Sequence, residues 1–269
     1  MNALDRLPNK LDFEGANNFR DLGGYAVADN LRIRHGVIHR SDQLGKLTDA
    51  DQQKLAAIGL RTIIDFRREM ERTDSPDRID DVAIQQIWLP VDAEAADVRS
   101  IRRQMEEGNI SSSQATQFLI DANRQFVREF SGVFSRYLHL LLDETSYPLV
   151  FHCSAGKDRA GFAAALTLFV AGATTDTVMH DYLATNHCTS NYVNGILDGL
   201  SDVEGLRVTP EAVQILMQVQ PVFLQTALDT IVADYGDVPT YLDRALDFGK
   251  EKQQRVCALI CESSSASRN

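Results

Sequence analysis

The sequence contains few cysteines and lacks a long apolar run. Four cysteines in 269 residues are too few for a disulfide scaffold in a chain of this length. The longest apolar stretch, residues 160–173, is interrupted by Gly161, Thr167 and Gly172 and is too short to span about 30 Å of hydrocarbon. Residues 1–13 contain no apolar core of a signal peptide. We therefore expect a cytoplasmic protein without stable membrane insertion, although export without a signal peptide would leave no such mark.

Basic residues are also in deficit. The chain has 27 lysines and arginines against 38 aspartates and glutamates, which gives a formal net charge of -11. Neutralising nucleic-acid phosphates requires a net basic face, so we expect no nucleic-acid partner. The same charge disfavours docking on anionic lipid, but it leaves room for a local basic pocket. A hydrophobic content of 44% is ordinary for a globular domain, which excludes a wholly disordered chain.

Strand and helix patterns alternate along the chain. We expect strands over residues 36–39, 61–65, 82–89 and 148–152. Helices are expected over residues 48–59, two or three times within 93–142 with a break at 111–113, and over 161–170, 175–186, 210–235 with a break near Pro221, 240–248 and 250–262. Thr48 and Asp51 form a capping box at the start of the first helix, and Gly59 ends it. This order predicts an α/β fold with a mostly parallel sheet and extra helices around it or above it.

The segment from His152 to Gly161 (HCSAGKDRAG) is the most informative part of the chain. It lies between a predicted buried strand and an apolar helix, where ligands bind in open α/β sheets. Cys153 and Arg159 can close a loop whose backbone N–H groups point inward. Because the loop leads into a helix N-terminus, amides and helix dipole together favour an anion. Arg159 adds a planar fork that can hold two oxygens of a phosphoryl group.

Such an anion loop also favours a thiolate at Cys153, which makes this residue a nucleophile. We therefore predict phosphoryl transfer through a phosphocysteine, with no metal and no cofactor. The predicted phosphate-binding residues are Ser154, Ala155, Gly156, Lys157, Asp158 and Arg159. The alternative is that Cys153 is only a buried structural thiol, but the two glycines and the strand–loop–helix context disfavour it.

The reaction also needs an acid to protonate the leaving oxygen. Asp158 lies in the loop and is the first candidate, and Asp92, just past a strand end, is the second. Asp65 is better interpreted as a structural ion pair. Lys157 either binds extra substrate charge or lies solvated at the loop rim, and His152 is expected to orient the loop.

Other polar residues have simpler interpretations. Arg20 and Asp21 either buttress the loop or form a surface turn pair. The arginines at positions 67–72 are more typical of a solvated helix face. The pairs at 187–188 (His-Cys) and 257–261 (Cys-x3-Cys) lack the ligand count of a zinc site.

The loop resembles that of the Cys-x5-Arg protein tyrosine phosphatases, and most closely the atypical bacterial family typified by the mycobacterial phosphatase PtpB. Other blocks are similar to segments of that family: Asn18-Phe19-Arg20-Asp21, Arg40-Ser41 with the helix that follows, Asp65-Phe66-Arg67, Asp181-Tyr182-Leu183-Ala184-Thr185-Asn186, and Tyr235-Gly236 with Tyr241-Leu242. The resemblance spans residues 17–259. It implies one phosphatase domain over residues 1–262, followed by a tail, 263–269, that we expect to be disordered.

The resemblance further implies a central sheet flanked by helices, with additional lid-type helices. The implied substrates are phosphotyrosine in a protein or peptide, extending to phosphoserine and phosphothreonine, and in some members phosphoinositides. The Lys157-Asp158 pair is similar to the family's, and Asp158 is placed like an acidic residue in the myotubularin lipid phosphatase loop. A lipid substrate is therefore the second interpretation, and the acidic net charge makes it the weaker one.

The chain departs from the family pattern at Ala160, where these phosphatases usually have serine or threonine. That hydroxyl donates a hydrogen bond to the cysteine sulfur and helps it leave. Ser154 or Thr167 could supply the missing donor.

Two alternatives of other classes remain. A catalytically weak module could capture phosphoproteins, although the intact Cys153 and Arg159 argue against it. A sulfur or arsenate reductase would need a resolving cysteine, and Cys188 is only a distant candidate.

Overall fold

The structure, a computed structural model, describes residues 9–93, 110–201 and 209–264. Eight strands lie in these residues: β1 (Arg20–Asp21), β2 (Ala26–Val27), β3 (Leu31–Ile33), β4 (Ile38–Ser41), β5 (Thr62–Asp65), β6 (Gln85–Trp88), β7 (Leu149–His152) and β8 (Cys261–Ser263). Five of them form the central sheet in the order β1-β4-β7-β5-β6, and the others form a small sheet in the order β2-β3-β8. In the central sheet only β1 is antiparallel to its neighbour. The predicted α/β fold with a mostly parallel sheet is confirmed.

Ten α-helices complete the described part: α1 (Asp49–Ile58), α2 (Glu69–Asp74), α3 (Ser112–Arg128), α4 (Ser131–Leu140), α5 (Arg159–Val170), α6 (Thr175–Ser201), α7 (Pro210–Met217), α8 (Pro221–Tyr235), α9 (Val238–Arg244) and α10 (Lys250–Ile260). The break near Pro221 is confirmed, because α7 ends before it and α8 begins at it. The part of the expected 93–142 helical region that precedes residue 110 lies outside the described residues.

The sheet has an apolar core on each face. Strand β7 supplies both cores, because successive side chains of a strand point to opposite faces. Leu149 and Phe151 belong to the larger core with helix α5, whereas Val150 belongs to the smaller core with Leu55 of α1. All four residues of β7 are buried. The strand that leads into the loop is therefore held from both sides, and its carboxyl end is a rigid base for the site.

Local signals near α1 act as predicted. The Thr48 side chain accepts a hydrogen bond from the Asp51 N–H, and the Asp51 carboxylate accepts one from the Thr48 N–H, which confirms the capping box. Gly59 ends the helix with φ 68°, a left-handed conformation that glycine adopts without steric cost.

Several expected boundaries are wrong. The strand expected over residues 82–89 is β6, Gln85–Trp88, and the helix expected over 240–248 is α9, Val238–Arg244. Helix α6 does not end near Asn186 but continues to Ser201, because Cys188, Thr189 and Val193 continue its buried face. Ser263 is not part of a disordered tail. It lies in β8 and pairs with Leu31 of β3, a long-range pairing that has no local sequence signal. Residues 265–269 lie outside the described part.

Within the described residues, no single helix is both long and apolar enough to cross a membrane. Helices α7 and α8 pass such a test only as a pair, bent by 51°. Both contribute buried side chains, such as Val213 and Phe223, to the larger core.

Candidate active site

The loop of residues 153–158 connects β7 to α5 at the carboxyl end of the central sheet. Cys153 is 2% exposed, and Arg159 is the first residue of α5 and is also buried. Gly156 has φ +66°, and a Cβ placed on it would lie 2.7 Å from the main chain of Ser41 and of Asp42. Both its conformation and this close approach require glycine. The loop is therefore packed tightly against the end of β4.

Arg159 is held by a residue that sequence reasoning missed, Glu71 in helix α2. Arg159 Nη1 donates to Glu71 Oε2 at 2.6 Å, and Nη2 donates to Oε1 at 2.8 Å. The Ser154 hydroxyl donates to the same carboxylate. A bidentate pair of this kind fixes the plane of a guanidinium as well as its position. Glu71 thus links the first turn of α5 to the loop.

The charge of Glu71 is secured by these contacts. Burial raises the pKa of Glu71, but the hydrogen bonds and charge of Arg159 outweigh this and lower the pKa to about 2. Burial likewise lowers the pKa of Arg159, and the carboxylate of Glu71 more than restores it, so the pKa is raised overall. In the sequence, Glu71 is one acidic residue among several between positions 65 and 77. Among these acidic residues, Glu71 is distinguished only by its position as the third residue of α2.

A second ion cluster lies beside β7, on the β5 side. Arg67 is buried rather than on a solvated helix face, and its Nη2 lies 2.9 Å from Asp65 Oδ2 and 2.8 Å from Asp77 Oδ2. Arg72 also lies 3.0 Å from Asp65. Asp65 is therefore a structural ion-pair residue. The His152 Nε2 lies 3.2 Å from Asp77. These contacts fix the segment that carries α2.

Three side chains of this cluster lie close enough together to ligate a metal ion. Ligand atoms of Asp65, Asp77 and His152 all lie within 4.8 Å of one another. However, the Arg67 guanidinium already bridges the two carboxylates. Burial raises the pKa of Asp77, but the charges of His152 and Arg67 lower it overall. The cationic partner of these carboxylates is thus supplied by the protein.

The two remaining acid candidates have different surroundings. Asp158 stands at the start of α5, with Oδ2 2.7 Å from Lys157 Nζ, while its Oδ1 is buried with no hydrogen-bond partner among the described residues. Lys157 is buried, so it is not a solvated rim lysine. Asp92 has a side chain that is 68% exposed and lies 3.4 Å from Arg68 Nη1. Arg68 in turn lies 3.6 Å from Glu71. Asp158 is therefore part of the loop, whereas Asp92 is linked to it through Arg68 and Glu71.

Neither Thr167 nor Ser154 can replace the hydroxyl that is missing at position 160. The Thr167 Oγ1 donates to Ala163 O at 2.9 Å and lies 2.6 Å from Tyr137 Oη. The Ser154 hydroxyl is bound to Glu71. Both are therefore committed to contacts other than the sulfur of Cys153.

Comparisons with known proteins match nearly the whole chain. The model of the tyrosine phosphatase family matches residues 11–262. A Cupriavidus necator protein that carries a tyrosine-protein phosphatase name is 30% identical over 243 residues, which cover 88% of this chain and 84% of that protein. Triple specificity protein phosphatase PtpB of Mycobacterium tuberculosis is 28% identical over 258 residues, covering 86% and 92%.

Among solved structures, crystalline TpbA of P. aeruginosa aligns with 69% of this chain and 94% of its own, at 19% identity. The TM-score is 0.31, too low to equate the two folds. The family match, which covers nearly the whole chain, decides the assignment: the chain belongs to the tyrosine phosphatase family.

Proposed function

We propose that the protein hydrolyses phosphotyrosine monoesters through a phosphocysteine intermediate. The observation that carries the proposal is the loop itself. Cys153 lies directly after β7, and Arg159, six residues further along the chain, is the first residue of α5. Glu71 of α2 holds the Arg159 guanidinium in a fixed plane. A thiolate beside a helix N-terminus and a guanidinium suits attack on a phosphorus that carries negative oxygens. The whole of residues 1–262 is proposed as one phosphatase domain.

The reaction has two steps. The Cys153 sulfur forms a bond to phosphorus while the bond from phosphorus to the tyrosyl oxygen breaks, and the leaving oxygen takes a proton from the acid. Water then attacks the phosphocysteine and gives its proton to the carboxylate, so that the sulfur–phosphorus bond breaks and inorganic phosphate leaves. Arg159 and the N–H groups of residues 154–159 stabilise the oxygens in both steps. Together the two steps return the Cys153 thiolate and the protonated acid to their starting states without a metal or cofactor.

Asp158 is proposed as the acid, with Asp92 as the second candidate. Asp158 is part of the loop and has one carboxylate oxygen without a protein partner in the described residues. Asp92 is exposed and would have to move toward the loop. The acid matters most for a poor leaving group such as tyrosine and least for p-nitrophenol. Comparing Asp158→Asn with Asp92→Asn on both substrates identifies it, since only the true acid shows a defect that grows with leaving-group basicity.

A phosphorylated protein or peptide is the proposed substrate, and the cytoplasm is the proposed compartment. The similarity to a triple specificity phosphatase supports extension to phosphoserine and phosphothreonine. A phosphoinositide is the weaker candidate, because Lys157, the extra cation of the loop, is buried and paired with Asp158.

The test is a panel of p-nitrophenyl phosphate, phosphopeptides, inositol phosphates and phosphoinositides, run on the wild type and on Cys153→Ser. Turnover should vanish in the variant, and rapid quenching of the wild type should trap phosphate on Cys153. Cys257→Ser, which changes a partly exposed cysteine in helix α10, is the matched control and should keep full activity. Substrate binding without turnover in the wild type would instead identify a phosphoprotein-binding module.

A further inference from the structure

Three consecutive carbonyl groups of the loop are held from behind. Ser154 O accepts a hydrogen bond from Gln43 N at 3.1 Å. Gly156 O accepts one from Asn18 Nδ2 at 3.0 Å and one from Arg40 Nη2 at 2.7 Å. The same Asn18 amide lies 3.4 Å from Ala155 O. All three acceptors thus face donors from the β1–β4 side of the sheet.

This arrangement determines where the opposite side of each peptide points. In a trans peptide, the carbonyl of one residue and the N–H of the next point in opposite directions. Holding the carbonyls of residues 154–156 behind the loop therefore directs the N–H groups of Ala155, Gly156 and Lys157 to the front. No protein acceptor binds these three N–H groups in the described part of the chain. They are therefore free to bind oxyanion oxygens.

Asn18 and Arg40 are themselves fixed by a buried network. Arg40 Nη1 lies 2.5 Å from Asp181 Oδ2, and Arg20 Nη2 lies 3.3 Å from Asp181 Oδ1. Arg20 Nη1 also donates to Asn18 Oδ1 at 2.7 Å. Tyr25 Oη donates to Asp181 Oδ1 at 3.2 Å, and among the described residues it has no hydrogen bond to the loop. The four residues Asn18, Arg20, Arg40 and Asp181 are at most 1% exposed.

Two buried guanidinium groups here share one carboxylate, an arrangement that is unfavourable for the free energy of folding. Burial, and next the charge of Arg20, lower the pKa of Arg40, and Asp181 only partly compensates. Replacing buried ion pairs by apolar residues is often neutral or stabilising. Stability alone therefore does not account for Arg40, whereas its 2.7 Å hydrogen bond to Gly156 O does.

We propose that Asn18 and Arg40 are positioning residues that hold the loop carbonyls backward and so present the loop N–H groups to the phosphoryl oxygens. Neither residue touches substrate, and both act through Gly156 and its neighbours. The inference rests on the proposed phosphatase function, but the orientation of the loop is measurable without turnover.

Two variants test it. Arg40→Met removes the donor and leaves Arg20 and Asp181 as a balanced pair. Asn18→Asp keeps an acceptor for Arg20 but replaces the donor to the loop by a second acceptor. Each should weaken vanadate binding roughly tenfold, which corresponds to about 1.4 kcal/mol. The affinity is measured as protection of Cys153 from iodoacetate alkylation, beside KM and kcat for p-nitrophenyl phosphate and the urea unfolding midpoint.

Tyr25→Phe is the matched control, because it disturbs the same network away from the loop, and it should keep the wild-type vanadate affinity. Unchanged affinity in folded Arg40→Met or Asn18→Asp, or an equal loss in Tyr25→Phe, would overturn the inference. If Arg40→Met does not fold, Asn18→Asp decides. A wild type that binds vanadate without turning over substrate would refute the proposed function and leave this inference standing.

Discussion

Strand β7 runs between two buried ion clusters of opposite composition. The β4-side cluster consists of Arg20, Arg40 and Asp181. The β5-side cluster consists of Arg67, Asp65, Asp77 and His152. The first has two arginines for one carboxylate, and it donates directly to a loop carbonyl. The second has two carboxylates around one fully buried arginine, with Arg72 and His152 beside them. It reaches the loop through His152, which directly precedes Cys153, and through the chain that carries Glu71.

The difference separates two tasks within one site. The β4-side cluster acts on the main chain of the loop and so on the direction of its N–H groups. The β5-side cluster fixes the start of α2, from which Glu71 orients the Arg159 side chain. Oxyanion binding therefore depends on both neighbours of β7, by different routes.

Asp181→Asn should cause the largest loss of stability. It leaves two buried guanidinium groups without a carboxylate, and breaking a buried pair in this way costs about 3–5 kcal/mol. Asp65→Asn should cost only roughly 1–3 kcal/mol, because Asp77 still lies 2.8 Å from Arg67. The free energy of unfolding in urea measures both. Equal losses would show that the ratio of arginines to carboxylates does not matter.

Arg159→Lys should be nearly as damaging to catalysis as Arg159→Ala. A lysine is a point charge and cannot hold both Glu71 and the phosphoryl oxygens in one plane. We expect kcat for p-nitrophenyl phosphate to fall by about 10²-fold or more in both variants. Near-normal turnover by the lysine variant would contradict the role assigned to this guanidinium.

Ala160→Ser should raise kcat. It would supply the sulfur with a donor that Thr167 and Ser154 cannot provide, because both hydroxyls are bound elsewhere. A hydrogen bond to a charged group is worth about 1.5–3 kcal/mol, or roughly ten- to a hundredfold in the hydrolysis of the phosphocysteine. We expect a pre-steady-state burst in the wild type that shrinks in the variant, with kcat/KM almost unchanged. An absent burst together with an unchanged kcat would rule the idea out.

Glu71→Gln should have the smallest effect, about tenfold in kcat, because the amide keeps one acceptor for Arg159. Its pH dependence is diagnostic. The ordinary pKa of 4.5 is lowered to about 2 in the folded protein, so the charge of Glu71 stabilises the fold above pH 4.5 and this contribution is lost as the pH falls through about 2. The difference in unfolding free energy between wild type and variant should therefore be constant above pH 4.5 and shrink toward pH 2. A difference independent of pH would mean that the pKa of Glu71 is the same in the folded and unfolded protein, so that Arg159 does not stabilise its charge.

The features that could be predicted from sequence are local ones. The capping box at Thr48, the end of α1 at Gly59 and the strand–loop–helix around Cys153 depend on neighbouring residues, so a short window reveals them. Glu71 could not be identified, because its partner Arg159 lies 88 positions away. For the same reason the burial of Arg67 cannot be inferred from the sequence, and for Lys157 the sequence leaves a buried and a solvated position equally open.

The bidentate ion pair between Glu71 and Arg159 also has a consequence for inhibitors. Arg159 Nη1 donates to Glu71 and lies 3.4 Å from Phe66 O, and Nη2 is shared between Glu71 and Ser154. A planar carboxylate prefers the two parallel N–H bonds of this guanidinium end, and those are already taken by the protein's own carboxylate. Tetrahedral head groups such as phosphonates can also bind the loop N–H groups, so they should bind more tightly than carboxylates of equal size. A phosphonate and a carboxylate on the same aromatic scaffold would measure this preference.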